Sequence, residues 1–227
     1  MVSTVSPENP MLQNLSKYRI VLASNSPRRR ELLAGLGLSF TVRTLQDIDE
    51  SYPETLQGEE IPMHISKKKA AAYLPTLADD ELLITADTIV YLRNEAPSTD
   101  NSQPSASKNP CKEKAPSGEV LGKPHDEADA RRMLRELSGR SHEVITGVSI
   151  VTKEKQKTFA VTSHVSFAQL TDEVINYYVE NYHPMDKAGA YGIQEWIGFV
   201  GVNGLEGSYF NVMGLPVQRL YEELNSW

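Results

Sequence analysis

Two alternating runs most tightly limit what this chain can become. Val144, Thr146, Val148 and Ile150 alternate along one segment, and Phe159, Val161, Val165 and Phe167 along the next. The charged stretch 152–157 lies between them. A period of two puts every second side chain on one face, so the pair predicts a long antiparallel hairpin. Elsewhere, short apolar strands alternate with helical patterns. Ile20-Val21-Leu22 belongs to a strand over 19–23 and runs into a helix over 26–36, with a short strand near Phe40-Thr41-Val42 beyond it. A lysine-bearing helix covers about 61–74 and ends before Pro75. Leu82-Leu83-Ile84-Thr85-Ala86 reads as a short buried strand that ends at Asp87. In a helix over 126–137, Ala130, Met133, Leu134 and Leu137 share one face, and Ser138-Gly139 stops it. Thr171-Asp172-Glu173 opens another, with Val174, Tyr177 and Tyr178 turned inward. The last carries Val217, Leu220, Tyr221 and Leu224 at helical spacing. Together these predict an α/β fold: a mixed, curved sheet flanked by helices, with a long antiparallel hairpin.

At 227 residues the chain is long enough for one large domain. Residues 1–17 read as a flexible leader and 18–227 as a single domain. Within that domain, 94–118 changes character: four prolines, five serines, and no Val, Ile, Leu, Met or aromatic residue. Such a stretch buries too little apolar area to offset its ordering entropy. It predicts a disordered-type insertion between two strands, with a plain spacer as its default role. The single cysteine, Cys111, falls inside it and is given no catalytic part.

Charge narrows the partners. The formal net charge is −7, which argues against general nucleic-acid binding, since that rests on a basic surface. One cysteine excludes an internal disulfide framework and fits a reducing compartment. No apolar run approaches a membrane span, and the first 17 residues lack a signal-peptide apolar region. A soluble, cytoplasmic protein is expected. The histidines and the cysteine show no zinc-ligand spacing.

Against this acidic background the turn Ala23-Ser24-Asn25-Ser26-Pro27-Arg28-Arg29 stands out. Pro27 suits the first helical position and Ser26 the N-cap. The helix then opens with free backbone donors and the positive end of its dipole, and two guanidinium forks follow. That is a site for phosphate or another anion.

Four further residues have the right chemistry. Asp87, at the end of its apolar run, can hold a metal or take a proton from water; it can equally be a turn aspartate capping nearby N–H groups. Lys69 in Lys67-Lys68-Lys69-Ala70 falls at the edge of the face set by Ile61 and Ile65, where a lysine often only snorkels. Lys123 lies in Leu121-Gly122-Lys123-Pro124 just before a helix. Glu50 lies in the acidic run Asp47-Ile48-Asp49-Glu50, which alone reads as a solvated loop. Asp186-Lys187-Ala188-Gly189-Ala190-Tyr191-Gly192-Ile193-Gln194 is glycine-rich without being a Walker A loop. No Gly-x-Ser-x-Gly elbow is present.

In order along the chain, Ala23–Arg29, Lys69-Ala70, Ala86-Asp87-Thr88-Ile89-Val90, Gly122-Lys123-Pro124, Leu137–His142, Asp186–Gln194, Gly207-Ser208-Tyr209 and Val212–Pro216 resemble the motifs of the Maf family of nucleoside triphosphate pyrophosphatases. They span about residues 19–224. The resemblance implies cleavage between the α and β phosphates, with Mg²⁺ or Mn²⁺, in a Maf/ITPase-like fold. It also suggests a homodimer. One subgroup prefers dTTP and UTP, another 7-methyl-GTP. This chain resembles the first at three selector positions: Arg28, Thr88 and Gln194. The second tends to carry Trp at the first of these and Gln at the second.

The resemblance further implies roles. Asp87 is the expected general base or a metal ligand, and Glu50 the second carboxylate for the metal. Ser24, Arg28, Arg29, Lys69 and Lys123 would meet the triphosphate, with Arg29 as phosphate clamp. Arg28, Thr88 and Gln194 would read the base. Two other readings stand beside this one: a non-catalytic, nucleotide-binding regulator of septum formation and cell division, and a pyrophosphatase for modified nucleotides such as 7-methyl-GTP. The chain departs from the family in its leader, in the 94–118 insertion, and in Glu195-Trp196-Ile197, where small or glycine-rich residues are common. The last departure is placed to reshape the base pocket or a dimer contact.

Overall fold

The structure is a computed structural model that describes residues 10–93 and 118–227. Cys111 and nearly all of the 94–118 stretch lie outside the described residues. The elements are β1 (Arg19–Leu22), α1 (Pro27–Ala34), β2 (Phe40–Val42), α2 (Glu60–Tyr73), β3 (Glu81–Arg93), β4 (Gly118–Leu121), α3 (Glu127–Leu137), β5 (Ser141–Val151), β6 (Gln156–Phe167), α4 (Asp172–Tyr182), α5 (Trp196–Gly201), β7 (Val202–Glu206), α6 (Tyr209–Met213) and α7 (Val217–Asn225). Among the described residues the strands form one seven-stranded sheet in the order β2-β1-β3-β5-β6-β7, with β4 paired to β3. The β2, β1 and β3 pairings are parallel, and all others antiparallel. This is the mixed α/β sheet expected, and β5–β6 is the long hairpin, in unbroken register from Ser141↔Ser166 to Val151↔Gln156.

The sheet has a gap at its centre. β3 pairs along one edge with β5 from Leu83 to Tyr91. Along its other edge, β1 accompanies it only to Ile84, and β4 joins only at Val90. Among the described residues, Thr85–Ile89 therefore has no strand beside it on that edge. Both flanking strands end at this gap. The chain leaving β1 becomes the Ala23–Ser26 turn, and the chain leaving β4 becomes Gly122-Lys123. Asp87 sits mid-strand in the gap, not at the end of a short strand as the sequence predicts. Strand residues beyond Asp87 continue to Arg93 because Ile89, Tyr91 and Val90, Leu92 fill opposite faces of the same sheet. The rule that ligands gather beyond the carboxyl ends of strands applies here to β1 and β4.

Alternation along β3 divides the core. Leu82, Ile84 and Ala86 pack with Leu33, Leu220 and Leu224 beneath α1 and α7. On the other face α2 lies across β3 and β5. Its approach depends on Gly147, the partner of Asp87 across the ladder, where a Cβ would stand 2.3 Å from the Pro62 carbonyl carbon. The contact is sealed by Thr85 Oγ1 donating to Ser66 O (2.8 Å) and by the Ser66–Ser149 hydroxyl pair (3.0 Å).

Two local expectations change. Residues 10–15, assigned to a flexible leader, form a 3-10 turn whose Leu12 and Leu15 are buried against the α7 side of the core, with Asn14 Nδ2 donating to Leu224 O (2.8 Å). Spacing in a polar segment hides two leucines that only the folded C-terminal helix can cover. In α4, Ile175, Tyr178 and Val179 are the buried face, while Tyr177 is half exposed. The helix rotates to seat Tyr178 on a polar partner described below.

Candidate active site

One cavity of about 820 Å³ opens over the gap. Ser24, Arg28, Arg29, Glu50, Lys69, Asp87, Thr88, Lys123 and Gln194 all line it, so every site residue singled out from the sequence reaches one place. Five cations and four carboxylates line it, a small positive excess in a chain of net charge −7.

The anion turn forms as its residues dictate. Ser26 caps α1, its Oγ accepting from the Arg29 backbone N–H, with Pro27 at the first turn. Ser24 is buried, and its Oγ accepts from the Ser26 N–H (3.2 Å).

On the α2 face, Lys69 Nζ donates to Asp87 Oδ1 at 2.7 Å and lies 3.1 Å from Glu50 Oε1. Ile61 and Ile65, two and one turns earlier, anchor the helix and carry Lys69 inward, while Lys67 stays exposed. Lys69 and Asp87 are both largely buried; Glu50, on the loop before α2, is half exposed. Lys68 fastens that loop, its Nζ meeting Asp49 Oδ2 (2.7 Å), Ser51 O (2.9 Å) and Ser51 Oγ (3.2 Å), one residue either side of Glu50. Lys123 is exposed at the rim, with no ion pair to any described residue.

Thr88 points to the opposite face from Asp87 and meets Arg29. Arg29 Nη2 donates to Thr88 Oγ1 (2.9 Å), Nη1 to Ala86 O (2.8 Å) and Nε to Gly214 O (2.8 Å). Ala86 O is a backbone acceptor of the gap, so the guanidinium stands in for part of the missing strand. Burial lowers the Arg29 pKa, and the Asp87 charge offsets part of that. Thr88 Oγ1 is also paired with Thr146 Oγ1 (2.9 Å). The expected phosphate clamp and the expected base reader thus spend much of their hydrogen-bonding capacity on the protein and on each other.

Arg28 turns the other way, Nη1 donating to Asp186 Oδ2 at 3.0 Å. Gln194 lines the cavity with its Oε1 buried and unpartnered.

A second tier joins Glu195, which the sequence marks only as part of a segment placed to reshape the base pocket or a dimer contact, to Tyr178, Asp186 and Lys187, which it gives no individual role. Lys187 Nζ lies 2.7 Å from Asp186 Oδ1 and 3.1 Å from Glu195 Oε1. Glu195 Oε2 accepts from the Tyr178 hydroxyl, which itself accepts from the Gly192 N–H (3.0 Å). Burial would raise the Asp186 pKa, but the bonds from Lys187 and Arg28 hold it below the usual carboxylate value. The Tyr178 hydroxyl is pushed well above its ordinary pKa, first by burial and then by Glu195. The alternating signs in Arg28, Asp186, Lys187 and Glu195 were available in the sequence; their contact was not.

Among the described residues no group of three or more His, Cys, Asp or Glu side chains could hold a metal by itself, and no helix is long and apolar enough to cross a membrane. Two carboxylates, Asp87 and Glu50, do converge on one point, the Lys69 ammonium. That donor set suits a hard dication such as Mg²⁺, which takes one or two carboxylates and leaves its other positions to water and substrate phosphate.

The sequence matches the family described as Maf-like protein over residues 19–227. It is 56% identical over 214 residues to a protein of Phocaeicola vulgatus named dTTP/UTP pyrophosphatase, covering 94% of this chain and 98% of that one. A Porphyromonas gingivalis protein of the same name is 47% identical over 219 residues, covering 96% and 98%. Among solved structures the chain is similar to a HAM1 protein from Coxiella burnetii, with TM-score 0.42 and 13% identity over 92% of this chain and all of that one. That likeness is too slight to bear on function.

Proposed function

This chain belongs to the Maf family, and from that premise we propose that it hydrolyses nucleoside triphosphates between the α and β phosphates, with dTTP and UTP preferred. The observation that carries the reading is the Lys69–Asp87 pair at 2.7 Å, set in the gap of the sheet beneath a cavity that also takes in Arg28 and Lys123. The names of the relatives support the choice of substrate.

Asp87 is the proton acceptor in this reading. Water attacks the α-phosphorus, its proton passes to the Asp87 carboxylate, and the α–β bridging oxygen departs with pyrophosphate. Lys69 orients Asp87 through their 2.7 Å contact, and its charge faces the incoming phosphates. Lys123 and the backbone donors of Ser24 and Asn25 meet the outer phosphates from the rim. Asp87 and Glu50 would hold a divalent cation, Mg²⁺ or Mn²⁺, which when bound would supply charge neutralisation for the phosphates. Arg28 and Gln194 read the base, the Gln194 amide turning to meet the imide edge that uracil and thymine share. Arg29 and Thr88 hold the floor of the cavity between β3 and the Gly214 turn. In this reading the substrate comes from the cytoplasmic nucleotide pool.

The test is pyrophosphate release from dTTP, UTP, CTP, methylated pyrimidine triphosphates and 7-methyl-GTP with Mg²⁺ or Mn²⁺. dTTP and UTP should exceed CTP by at least about tenfold in kcat/KM, since a site built to accept a donor rejects an analogue lacking it. Equal rates across the panel would overturn the base assignment. Nucleotide binding without pyrophosphate release would overturn the catalytic one and favour a regulatory binder.

A further inference from the structure

We propose that Glu195 is a positioning residue for substrate selection, the one carboxylate on which both arms of the base-reading surface hang. The inference rests on the reading above for what the surface selects, but the arrangement stands on geometry alone.

The first arm runs through charge. Glu195 Oε1 lies 3.1 Å from Lys187 Nζ, Lys187 Nζ lies 2.7 Å from Asp186 Oδ1, and Asp186 Oδ2 lies 3.0 Å from Arg28 Nη1. Lys187 is almost fully buried, its side chain 8% exposed. A buried ammonium must keep counter-charges close, so removing one of its two carboxylates shifts the demand to the other. That other one is Asp186, the ion-pair partner of the Arg28 guanidinium. Without Glu195, Asp186 is drawn toward Lys187 and loosens Arg28.

The second arm runs through backbone. Glu195 Oε2 accepts from Tyr178, and the Tyr178 hydroxyl accepts from the Gly192 N–H. Gly192 lies directly on the ion pair: a Cβ there would stand 3.0 Å from Glu195 Cδ and 3.1 Å from Lys187 Cε. The Gly192–Gln194 segment therefore takes its position from the same carboxylate, and Glu195 N donating to Gly192 O (2.9 Å) closes the turn. Gln194, with its unpartnered Oε1, rides on this turn. Glu195 itself is not among the residues lining the cavity, so it acts through Arg28 and Gln194.

Glu195→Gln is the informative variant. It keeps an acceptor for Tyr178 and the volume of the side chain, and removes only the charge facing Lys187. Relative to the parent chain, the kcat/KM preference for UTP over CTP should fall by about tenfold, expressed in KM, with kcat on UTP within about twofold. Lys187→Met should give a similar loss, and the double variant no more than either alone, because both cut one connection. Parent-like discrimination in a folded Glu195→Gln protein would overturn the inference while leaving the function intact. So would an equal loss on both substrates that tracks a lowered Tm, the mark of a merely structural role. No turnover by the parent chain would overturn the function and this inference with it.

Discussion

Asp87 and Thr88 are neighbours in sequence and face opposite sides of the sheet, Asp87 toward Lys69 of α2 and Thr88 toward Arg29 of α1. Strand geometry requires this alternation. In the proposed reaction one dipeptide thereby supplies the proton acceptor on one face and a brace on the other, and the two should answer differently to mutation.

On the reactive face, Asp87→Asn should lower pyrophosphate release from dTTP by roughly 10²–10⁴-fold with the fold retained, the loss expected for a general base. Circular dichroism and Tm alongside the rate measurement check it. Near-normal hydrolysis would remove Asp87 from the reaction.

On the bracing face the cost should appear as stability. Thr88→Val keeps the shape but strips the acceptor from Arg29 Nη2 and one partner from Thr146 Oγ1. Thr146 Oγ1 keeps Asn211 O as a partner, but leaving the Arg29 donor unpaired costs about 1–3 kcal/mol, which urea unfolding would detect. Arg29→Lys should cost comparably, since one ammonium cannot span Gly214 O, Ala86 O and Thr88 Oγ1 as the planar fork does.

Metal dependence should separate the two carboxylates. Chelation should abolish turnover. Glu50→Gln should raise the Mg²⁺ or Mn²⁺ concentration for half-activation by about tenfold and recover at high metal, because other ligands remain. Asp87→Asn should not recover. A Glu50→Gln protein with unchanged metal response would place Glu50 outside the metal site.

Stability should fall on mild acidification through a residue away from the chemistry. His142 is buried between Phe167 and Tyr191, and burial lowers its pKa from 6.5 to about 3. The unfolded chain takes up the proton first, so the His142 contribution is whole above pH 6.5 and is lost as pH falls toward 3. The slope approaches about 1.4 kcal/mol per pH unit. Between pH 6.5 and 4.5, above the range where carboxylates take over, Tm should drop in the parent and stay nearly flat in His142→Gln. Equal slopes would assign the effect elsewhere.

The N-terminal turn offers a check on packing. Leu15→Ala should destabilise the protein by about 2–5 kcal/mol, as for other fully buried leucines, although a polar neighbourhood in sequence suggests a dispensable segment. A change below about 0.5 kcal/mol would show that the turn is not part of the core.

By itself the sequence determined many of the elements and pointed to residues that line one cavity. Alternation gave the β5–β6 hairpin, Ser26-Pro27 gave the start of α1, and the isoleucine spacing before Lys69 aimed that lysine inward, because each depends on neighbours within a few residues. Tertiary structure decided what each site residue touches. The gap between β1 and β4 turns Asp87 from a strand end into the middle of a strand, and it leaves Ala86 O for Arg29. Packing turns α4 so that Tyr178, not Tyr177, goes inside, and that joins Glu195 to Lys187, Asp186 and Arg28. Those contacts bring together residues up to 158 positions apart, and nothing in local spacing specifies which buried charge will answer which. Their pairing follows from the need to satisfy every polar group that the assembled core takes out of water.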